Sequence, residues 1–275
     1  MLRLLSIEIH KLKYNRASRI LIFIYFALLT SIALIAAVKF DIGPIEFHLA
    51  EQGIFNFPYI WHFNTFMAAI FKFFLLLVIV SMMANEYSNK TLKQNLIDGL
   101  SKKEFILSKF YTVILLAGIS TIFVFIVSLI LGYVYSDFNE FSIVTTDLEY
   151  LIAFFVKLVG FFSFGLFLGI LVKRSAFAVG AMLVWAMLEG FVKGMSYWKF
   201  ENFVDEIMHF FPLEAMANLI KEPFTRLSAL KTLAKQVDVD LSKDFSVQIL
   251  DLIIVITWTF IFIYLSYFIL KKRDL

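Results

Sequence analysis

Long apolar segments alternate with short polar connections along most of the chain. Six of these segments contain about 20 residues each, which is the helical length needed to cross a hydrocarbon layer of about 30 Å. They cover roughly residues 19–38, 59–84, 110–135, 150–172, 176–195 and 249–270. The pattern predicts an all-α membrane protein in which residues 1–275 form a single transmembrane domain with six membrane-spanning helices.

Lys and Arg residues are concentrated in alternate connections. Apart from the long fifth connection, four segments carry them: Arg3, Lys11, Lys13, Arg16 and Arg19 at the start, Lys90, Lys93, Lys102, Lys103 and Lys109 in the second connection, Lys173 and Arg174 in the fourth, and Lys271, Lys272 and Arg273 at the end. The first and third connections, 40–58 and 136–149, contain none. Because Lys and Arg in short loops remain in the cytoplasm, both termini are predicted to be cytoplasmic. Because the chain changes sides at every span, the fifth connection, 196–248, is then predicted to lie outside.

Composition and charge agree with a membrane protein. Hydrophobic residues make up 61% of the chain and the mean hydropathy is +0.84, which excludes an ordinary soluble domain. The net charge of +3 does not indicate nucleic-acid binding, because the basic residues are spread over four segments that face anionic lipid headgroups. Without cysteine there are no disulfides or thiolate metal sites. The start of the chain lacks a cleavable signal pattern.

Residues 1–18 show the pattern of an amphipathic helix. The apolar residues recur at helical spacing, namely Leu2, Leu5, Ile9 and Leu12. Charged residues lie between them, namely Glu8, Lys11 and Lys13. This predicts a helix at the inner membrane surface that orients the first span. The alternative is a basic N-terminus that merely precedes a span.

The second connection, residues 85–109, predicts a helix, a turn and a second helix. Residues 91–98 place Leu92, Leu96 and Ile97 on one side of a short helix. Gly99 is suited to ending this helix, and Ser101 with Glu104 has the spacing of a capping box for the next one. The short helix would contact a partner that acts on the membrane domain, or it is a passive re-entry loop.

Among the ionisable residues inside predicted spans, four need explanation, namely Lys72, Lys157, Glu189 and Lys193. Each costs about 2.5 to 3.5 kcal/mol at the centre of a membrane helix. The fourth and fifth spans are joined by a very short turn, so Lys157 and Glu189 are predicted to have similar depths and to form an ion pair. Lys193, one turn from Glu189, is also within its reach. The alternative is a role in substrate binding or gating.

Two pairs of glycines have the spacing that allows helices to approach closely in lipid. They are Gly165 with Gly169 and Gly190 with Gly194. Each pair would serve packing inside the protein or a subunit interface. The fifth span, which carries the second pair, is the better interface candidate.

The fifth connection contains an apolar stripe opposite charged residues, followed by Pro212 and a second apolar stretch. This predicts two short helices at the outer membrane surface between spans five and six. No catalytic constellation is recognised. The spacing of His48, His62 and His209 fits no metal-ligand motif, so no metal site is predicted.

The sequence NEYSNKTLKQNLIDGLSKKEFILSKF, residues 85–110, resembles the segment that follows the second helix in permease subunits of type 2 ATP-binding-cassette exporters. Glu86, Thr91 and Leu92 match the pattern of that family, and Lys90 stands where the family commonly has Gly. The C-terminal YFILKKRDL resembles the Phe-rich, basic end of the same family. The plan of six spans with both ends inside extends the resemblance over the whole chain.

The resemblance implies a division of labour between chains. A separate ATPase subunit would bind ATP and Mg and contact the permease through the coupling region, with Glu86, Thr91, Leu92, Leu96 and Ile97. This chain has no phosphate-binding loop of the form GxxxxGK[ST], so no cofactor is expected in it. A second permease copy would complete the pore, in contact with membrane lipids. The membrane would be the bacterial cytoplasmic (inner) membrane.

The resemblance also implies that the fifth connection closes the exit path as an outer gate. The residues of this gate would be Phe200, Phe203, Ile207, Phe211, Pro212 and Met216. The alternative is that the short helices only cover the bundle.

Together these features predict a permease subunit that exports a hydrophobic or amphiphilic substrate. A secondary transporter, a membrane-embedded enzyme and a non-transporting membrane anchor of an ATPase complex are the alternatives.

Overall fold

The computed structural model describes residues 2–37, 39–42, 45–48, 53–199, 204–226 and 244–273. The helices in these ranges are α1 (Leu2–Tyr14), α2 (Arg16–Ala37), α3 (Tyr59–Ile70), α4 (Lys72–Ser88), α5 (Thr91–Ile97), α6 (Lys102–Tyr135), α7 (Phe141–Val144), α8 (Glu149–Val172), α9 (Ser175–Lys199), α10 (Val204–Met208), α11 (Pro212–Asn218) and α12 (Ile249–Lys272). A 3₁₀ turn covers Phe224–Arg226. The prediction of a mainly helical protein is confirmed.

A small β-hairpin follows α2 and corrects the expectation of helices alone. Strand β1 (Lys39–Ile42) pairs antiparallel with β2 (Ile45–His48), with Lys39 opposite His48. Each strand alternates polar and apolar residues, which is the pattern of a strand with one buried face. Four residues are too few for that alternation to be separated from a loop in the sequence.

Within the described ranges, four helical segments are long and apolar enough to cross a membrane. They are Lys102–Tyr135, Phe141–Val172, Ser175–Tyr197 and Ile249–Lys272. The pair α3–α4 makes a fifth if its two helices count as one span. Helix α2, with 22 residues, coincides with the first predicted span.

The second predicted span is not one straight helix. Helices α3 and α4 meet at an angle of 44°. At the break the amide of Phe71 donates to the carbonyl of Ala68, three residues back, in place of the usual four. Neither proline nor glycine is present at this point, so the sequence pattern gave no reason to expect the break.

Helix α8 is the centre of the bundle and contacts α3, α4, α6, α9 and α12. Its predicted small residues face α4. A Cβ atom on Gly165 would collide with the side chain of Leu76, and one on Gly169 would lie 3.2 Å from Cβ of Met83. This pair therefore serves packing inside the protein.

Helix α9 is the most exposed of the long apolar helices. Only 17% of the residues in its apolar stretch are buried, against 67% in the segment that contains α8. A Cβ atom on Gly190 or Gly194 would meet nothing within 4 Å in the described structure. The second glycine pair is thus not used for close packing against the described residues, and its role at a subunit interface stays a prediction.

The predicted N-terminal helix is present as α1, and Asn15 separates it from α2. The Asn15 side chain accepts a hydrogen bond from the amide of Ser18 at 3.0 Å, which supports the new helix start. The face of α1 turned to the protein is mixed, because Leu12 and the charged Glu8 are both buried, whereas Ile9 is 42% exposed. Glu8 needs a buried partner, and the coupling region supplies it.

Candidate functional site

The second connection, residues 85–109, folds as the sequence predicts. Helix α5 covers Thr91–Ile97, and α6 begins with a capping box between Ser101 and Glu104. Gly99 has a φ of +97°, which few other residues adopt. Lys90, at the position where glycine is common in the resembled family, also has a positive φ of 55°. The tight turn is therefore kept, although a side chain at this position is strained.

Glu86 joins three helices at this end of the bundle. Its Oε1 atom accepts hydrogen bonds from Lys109 of α6 at 2.5 Å and from Lys11 of α1 at 2.7 Å. Its Oε2 atom accepts one from Thr91 at the start of α5 at 2.6 Å. Since Glu86 belongs to α4, one carboxylate connects α1, α5 and α6 to a membrane helix.

Glu8 completes the network. Its carboxylate lies 2.6 Å from Nζ of Lys109, which therefore bridges two acids. The side chains of Lys109, Glu86 and Glu8 are almost fully buried, at 0%, 3% and 4% exposure. We call these three residues with Lys11 the four-charge network. It is neutral in sum, which is the condition for burying charges at tolerable cost.

Lys11 lies at the edge of this network. Burial lowers its pKa, but the hydrogen bond to Glu86 and the charge of Glu8 outweigh burial, so the pKa of Lys11 is raised above its ordinary value. The lysine therefore stays charged at neutral pH.

The three predicted apolar anchors of α5 differ in accessibility. Leu92 is 2% exposed and packs inside the protein, so it has no surface left for a partner. Leu96 is half-buried against the same core. Ile97 is 70% exposed. This corrects the expectation for Leu92, and it makes Ile97 the apolar residue that α5 offers outward.

A cavity of about 470 Å³ lies beside α5, between α1 and the start of α6. Its lining is both charged and apolar, with Ile7 of α1, Asn95 and Asp98 beside α5, and Leu100 in the turn. The exposed face of α5 and this cavity form one continuous surface at the end of the bundle where α1 lies.

The C-terminal Arg273 connects α4, α6 and α8 at the same end of the bundle. Arg273 donates to the carbonyls of Ile170 at 2.6 Å and Leu171 at 2.9 Å, and to the hydroxyl of Tyr87 at 3.0 Å. Lys102 of α6 donates to the carbonyl of Arg273 at 2.8 Å. A guanidinium on the last carbonyls of α8 satisfies groups that have no partner within the helix.

At the other end of the bundle, the predicted ion pair between Lys157 and Glu189 is not formed. Glu189 accepts hydrogen bonds from the amides of Leu213 at 3.2 Å and Glu214 at 3.1 Å, at the start of α11. It also accepts one from the indole of Trp185 at 2.5 Å. The prediction of an ion pair rested on equal depth, and depth does not determine which way two side chains point around their helices.

Lys157 binds the other end of the same short helix. Its Nζ atom lies 3.5 Å from the carbonyl oxygens of Ala217 and Ile220. An acid at the amino end of α11 and a cation at its carboxyl end match the direction of the helix dipole. Lys193, expected near Glu189, pairs instead with Glu214 of α11 at 2.5 Å.

The two short outer helices are present as α10 and α11. Among the predicted gate residues, Pro212 and Met216 are buried, Phe211 is half-buried and Ile207 is 45% exposed. Phe200 and Phe203 lie outside the described residues. The sequence therefore located the helices correctly, whereas their function as a gate stays a prediction.

Below α11 lies a cavity of about 880 Å³, which we call the membrane cavity. It lies between α4, α8, α9, α11 and the start of α12. Three of the four predicted intramembrane charges line it, namely Lys72, Lys157 and Lys193. The break between α3 and α4 places Lys72 at the first position of α4.

The histidines serve structural contacts. His62 is fully buried, stacks on Tyr150 at 4.3 Å between ring centroids, and lies 3.1 Å from Arg226. His209 lies 2.7 Å from Asp251 at the start of α12. Across the described ranges, no group of three or more potential metal ligands occurs. The side chain of His48 lies outside the described part.

Arg226 also approaches Asp147 in the third connection, at 3.8 Å. Burial raises the pKa of Asp147 above its ordinary value, and the charge of Arg226 only partly offsets this. The contact connects the segment after α11 to the start of α8.

Sequence reasoning missed Lys109 and Glu8 as members of the network. A signal for Glu8 was present: it lies four residues before Leu12 and four after Leu4, on the buried stripe of α1. A charge on an apolar stripe needs a partner. No local signal identified Lys109, because its partners are distant in sequence.

Comparison with known proteins places the chain in a family. No curated protein matches it. The model of a family described as "Protein of unknown function (DUF2705)" matches residues 21–275, from the first long apolar segment to the end of the chain. The chain therefore belongs to the DUF2705 family.

Proposed function

We propose that the protein is the permease subunit of an ATP-binding-cassette exporter in the bacterial cytoplasmic membrane. It would cross the membrane six times, through α2, the bent pair α3–α4, α6, α8, α9 and α12. Both termini would be cytoplasmic, because the short connections rich in Lys and Arg then lie inside. The fifth connection also carries Lys and Arg, but it is long and of mixed charge and so does not indicate a side. The hairpin, α7, α10 and α11 would lie outside.

The observation that carries this proposal is the connection of α5 to the bundle through Glu86. A permease needs a cytoplasmic element that transfers a partner's movement to its membrane helices. Helix α5 meets this need because Thr91 at its start binds the carboxylate that also binds Lys109 of α6. A force on α5 would reach α4 and α6 through short, buried, charge-assisted hydrogen bonds.

The partner would be a separate ATPase subunit that binds ATP and Mg. Its contact surface would include Ile97, with Lys93 beside it, and the 470 Å³ cavity next to α5. A buried aliphatic anchor supplies affinity, and charges at the rim mainly supply orientation. A second permease copy would pack on the exposed face of α9, around Gly190 and Gly194.

At the outer end, the membrane cavity would hold the substrate and α11 would separate it from the outside. Helix α11 suits a gate because it is short and its ends are held by side chains from α8 and α9.

A secondary transporter is the second candidate, and the break between α3 and α4 favours it. Discontinuous membrane helices are frequent at the substrate sites of that class. The two candidates differ in one testable respect, since only the exporter requires an ATPase partner.

The test is co-purification of the full-length protein with an ATPase subunit from native membranes. Replacing Ile97 with Asp should detach the ATPase and remove substrate-stimulated ATP hydrolysis, while the protein still inserts. The matched control is Phe138→Asp, since Phe138 is 48% exposed in the outer connection. Full ATPase binding by the Ile97→Asp variant, or no ATPase bound to the wild type, would overturn the proposal.

A further inference from the structure

The membrane cavity contains two lysines at the same level of the bundle. Lys72 lies 16 residues before the end of α4 at Ser88, and Lys157 lies 15 residues before the end of α8 at Val172. These two helix ends are adjacent, because Arg273 contacts both Tyr87 and Ile170. At 1.5 Å per residue both lysines are about 22 to 24 Å from that end.

Neither lysine has an acidic partner in the described structure. None of its ion pairs within 4.0 Å involves Lys72 or Lys157. Lys157 is 4% exposed and reaches only two carbonyl oxygens, both at the long distance of 3.5 Å. Lys72 lies over the ring of Phe161, 4.5 Å from its centroid. Such contacts do not neutralise a positive charge.

Each of the four acidic residues that line the cavity has another contact. The amide and the hydroxyl of Thr225 donate to the carboxylate of Glu222. Glu214 pairs with Lys193 at 2.5 Å, and Asp251 lies 2.7 Å from His209. The carboxylate of Asp244 accepts hydrogen bonds from Ser246 and Gln248. Its hydrogen bonds to Ser246 lower the pKa of Asp244, so it is ionised but already satisfied. Lys72 and Lys157 are therefore two neighbouring amines for which the described structure supplies no carboxylate.

A large part of the remaining lining is apolar. It includes Phe66, Phe73, Phe161, Leu213, Met216 and Ile220. The volume of about 880 Å³ lies within the range of sites that hold drug-sized ligands. A ligand that fits has an anionic group for the lysines and an apolar body for the aromatic and aliphatic wall.

The break between α3 and α4 points to the same place. Irregular backbone within the membrane is tolerated where it is buried in protein or lines a cavity. Here the break precedes Lys72 directly, so it turns the lysine and the neighbouring Phe73 toward the cavity.

We infer that Lys72 and Lys157 together bind the acidic headgroup, a phosphate or a carboxylate, of an amphiphilic ligand whose apolar part packs against the wall around Phe161. As a statement about the exported substrate, this rests on the proposed function. The binding itself does not require an ATPase, so the two ideas fail in different experiments.

The test uses the purified full-length protein in a neutral detergent. Binding is measured for dioctanoyl phosphatidic acid, for dioctanoyl phosphatidylcholine and for inorganic phosphate. We expect the phosphatidic acid to bind at least tenfold more tightly than the phosphatidylcholine. Equal affinity of the two lipids would overturn the inference. Inorganic phosphate binding as tightly as phosphatidic acid would overturn it too, because the apolar wall would then contribute nothing.

The variants Lys72→Gln and Lys157→Gln should each weaken phosphatidic acid binding at least fivefold. Lys72→Arg and Lys157→Arg, which keep the charge, should retain most of it. The matched control is Lys103→Gln, which removes an exposed lysine at the other end of the bundle and should leave binding unchanged. Unchanged binding in folded Gln variants would overturn the inference.

A second measurement does not depend on changing the lysines. The chain has no cysteine, so a single one introduced as Asn218→Cys reports on the cavity lining alone. Phosphatidic acid should slow its reaction with a maleimide at least fivefold, and phosphatidylcholine should not. Asn139→Cys, outside the cavity, should react at the same rate throughout. Absence of protection at position 218 would overturn the placement of the ligand.

Discussion

The Nζ atom of Lys109 lies 2.5 Å from Oε1 of Glu86, although neither side chain has appreciable contact with solvent. The two residues are 23 positions apart and frame the whole coupling region. Their contact closes the helix-turn-helix as a loop anchored at both ends. The position of α5 is thus fixed by buried charges in addition to packing.

Replacing Lys109 with Met should destabilise the protein by about 3 to 5 kcal/mol, because Glu8 and Glu86 would remain buried with only the peripheral Lys11 between them. Thermal unfolding of the purified protein would measure the loss. Lys103→Met, at an exposed neighbouring position, should change stability by less than about 0.5 kcal/mol. Equal stability of the two variants would show that the four-charge network contributes nothing.

Replacing Lys90 with Gly should stabilise the protein by about 1 kcal/mol, because glycine adopts the left-handed conformation without steric cost. Lys93→Gly is the matched control. Lys93 lies inside α5, so the same substitution there should cost about 1 kcal/mol. Denaturant unfolding would compare the two, and a destabilised Lys90→Gly variant would contradict the argument from backbone strain.

Exchanging the two charges, with Lys157→Glu and Glu189→Lys in one chain, should be worse than either single change. Each new side chain would face the wrong end of α11, with a cation at its amides and an acid at its carbonyls. An ion pair between the two positions would give the opposite result, a partial rescue. A double-mutant cycle on thermal stability distinguishes the outcomes.

Single cysteines at positions 94 and 139 should react from opposite sides of the membrane. Gln94 is exposed on α5 and Asn139 is exposed in the third connection. An impermeant maleimide applied to intact cells should label Asn139→Cys at once and Gln94→Cys only after lysis. Labelling of both from outside would contradict the six-span arrangement.

Local patterns were sufficient for most helices and for the capping box. The turn at Gly99, the start of α6 and the two outer helices each follow from residues within a few positions of one another. The break at Phe71 was missed, because neither proline nor glycine is present there.

The groups that charged residues contact were harder to predict than the positions that need a contact. The sequence identified Lys157 and Glu189 as requiring partners, since each is costly in the membrane. An ion pair between the two residues was predicted, because equal depth was the only geometric information that spacing provides. Apart from the Trp185 indole beside Glu189, their observed partners are backbone groups in and just after α11, and no side-chain pattern identifies a backbone partner.

The hydrogen bonds at the two ends of α11 differ in length, and this indicates which end would separate first. Its amino end is held by two amide hydrogen bonds of 3.1 and 3.2 Å to α9, and its carboxyl end by two contacts of 3.5 Å to α8. If α8 and α9 separate by even an ångström, the contacts to Lys157 are lost first. The amino end of α11 would then stay attached to Glu189 while its carboxyl end moved away from α8. The same movement would release the amino group of Lys157 into the cavity.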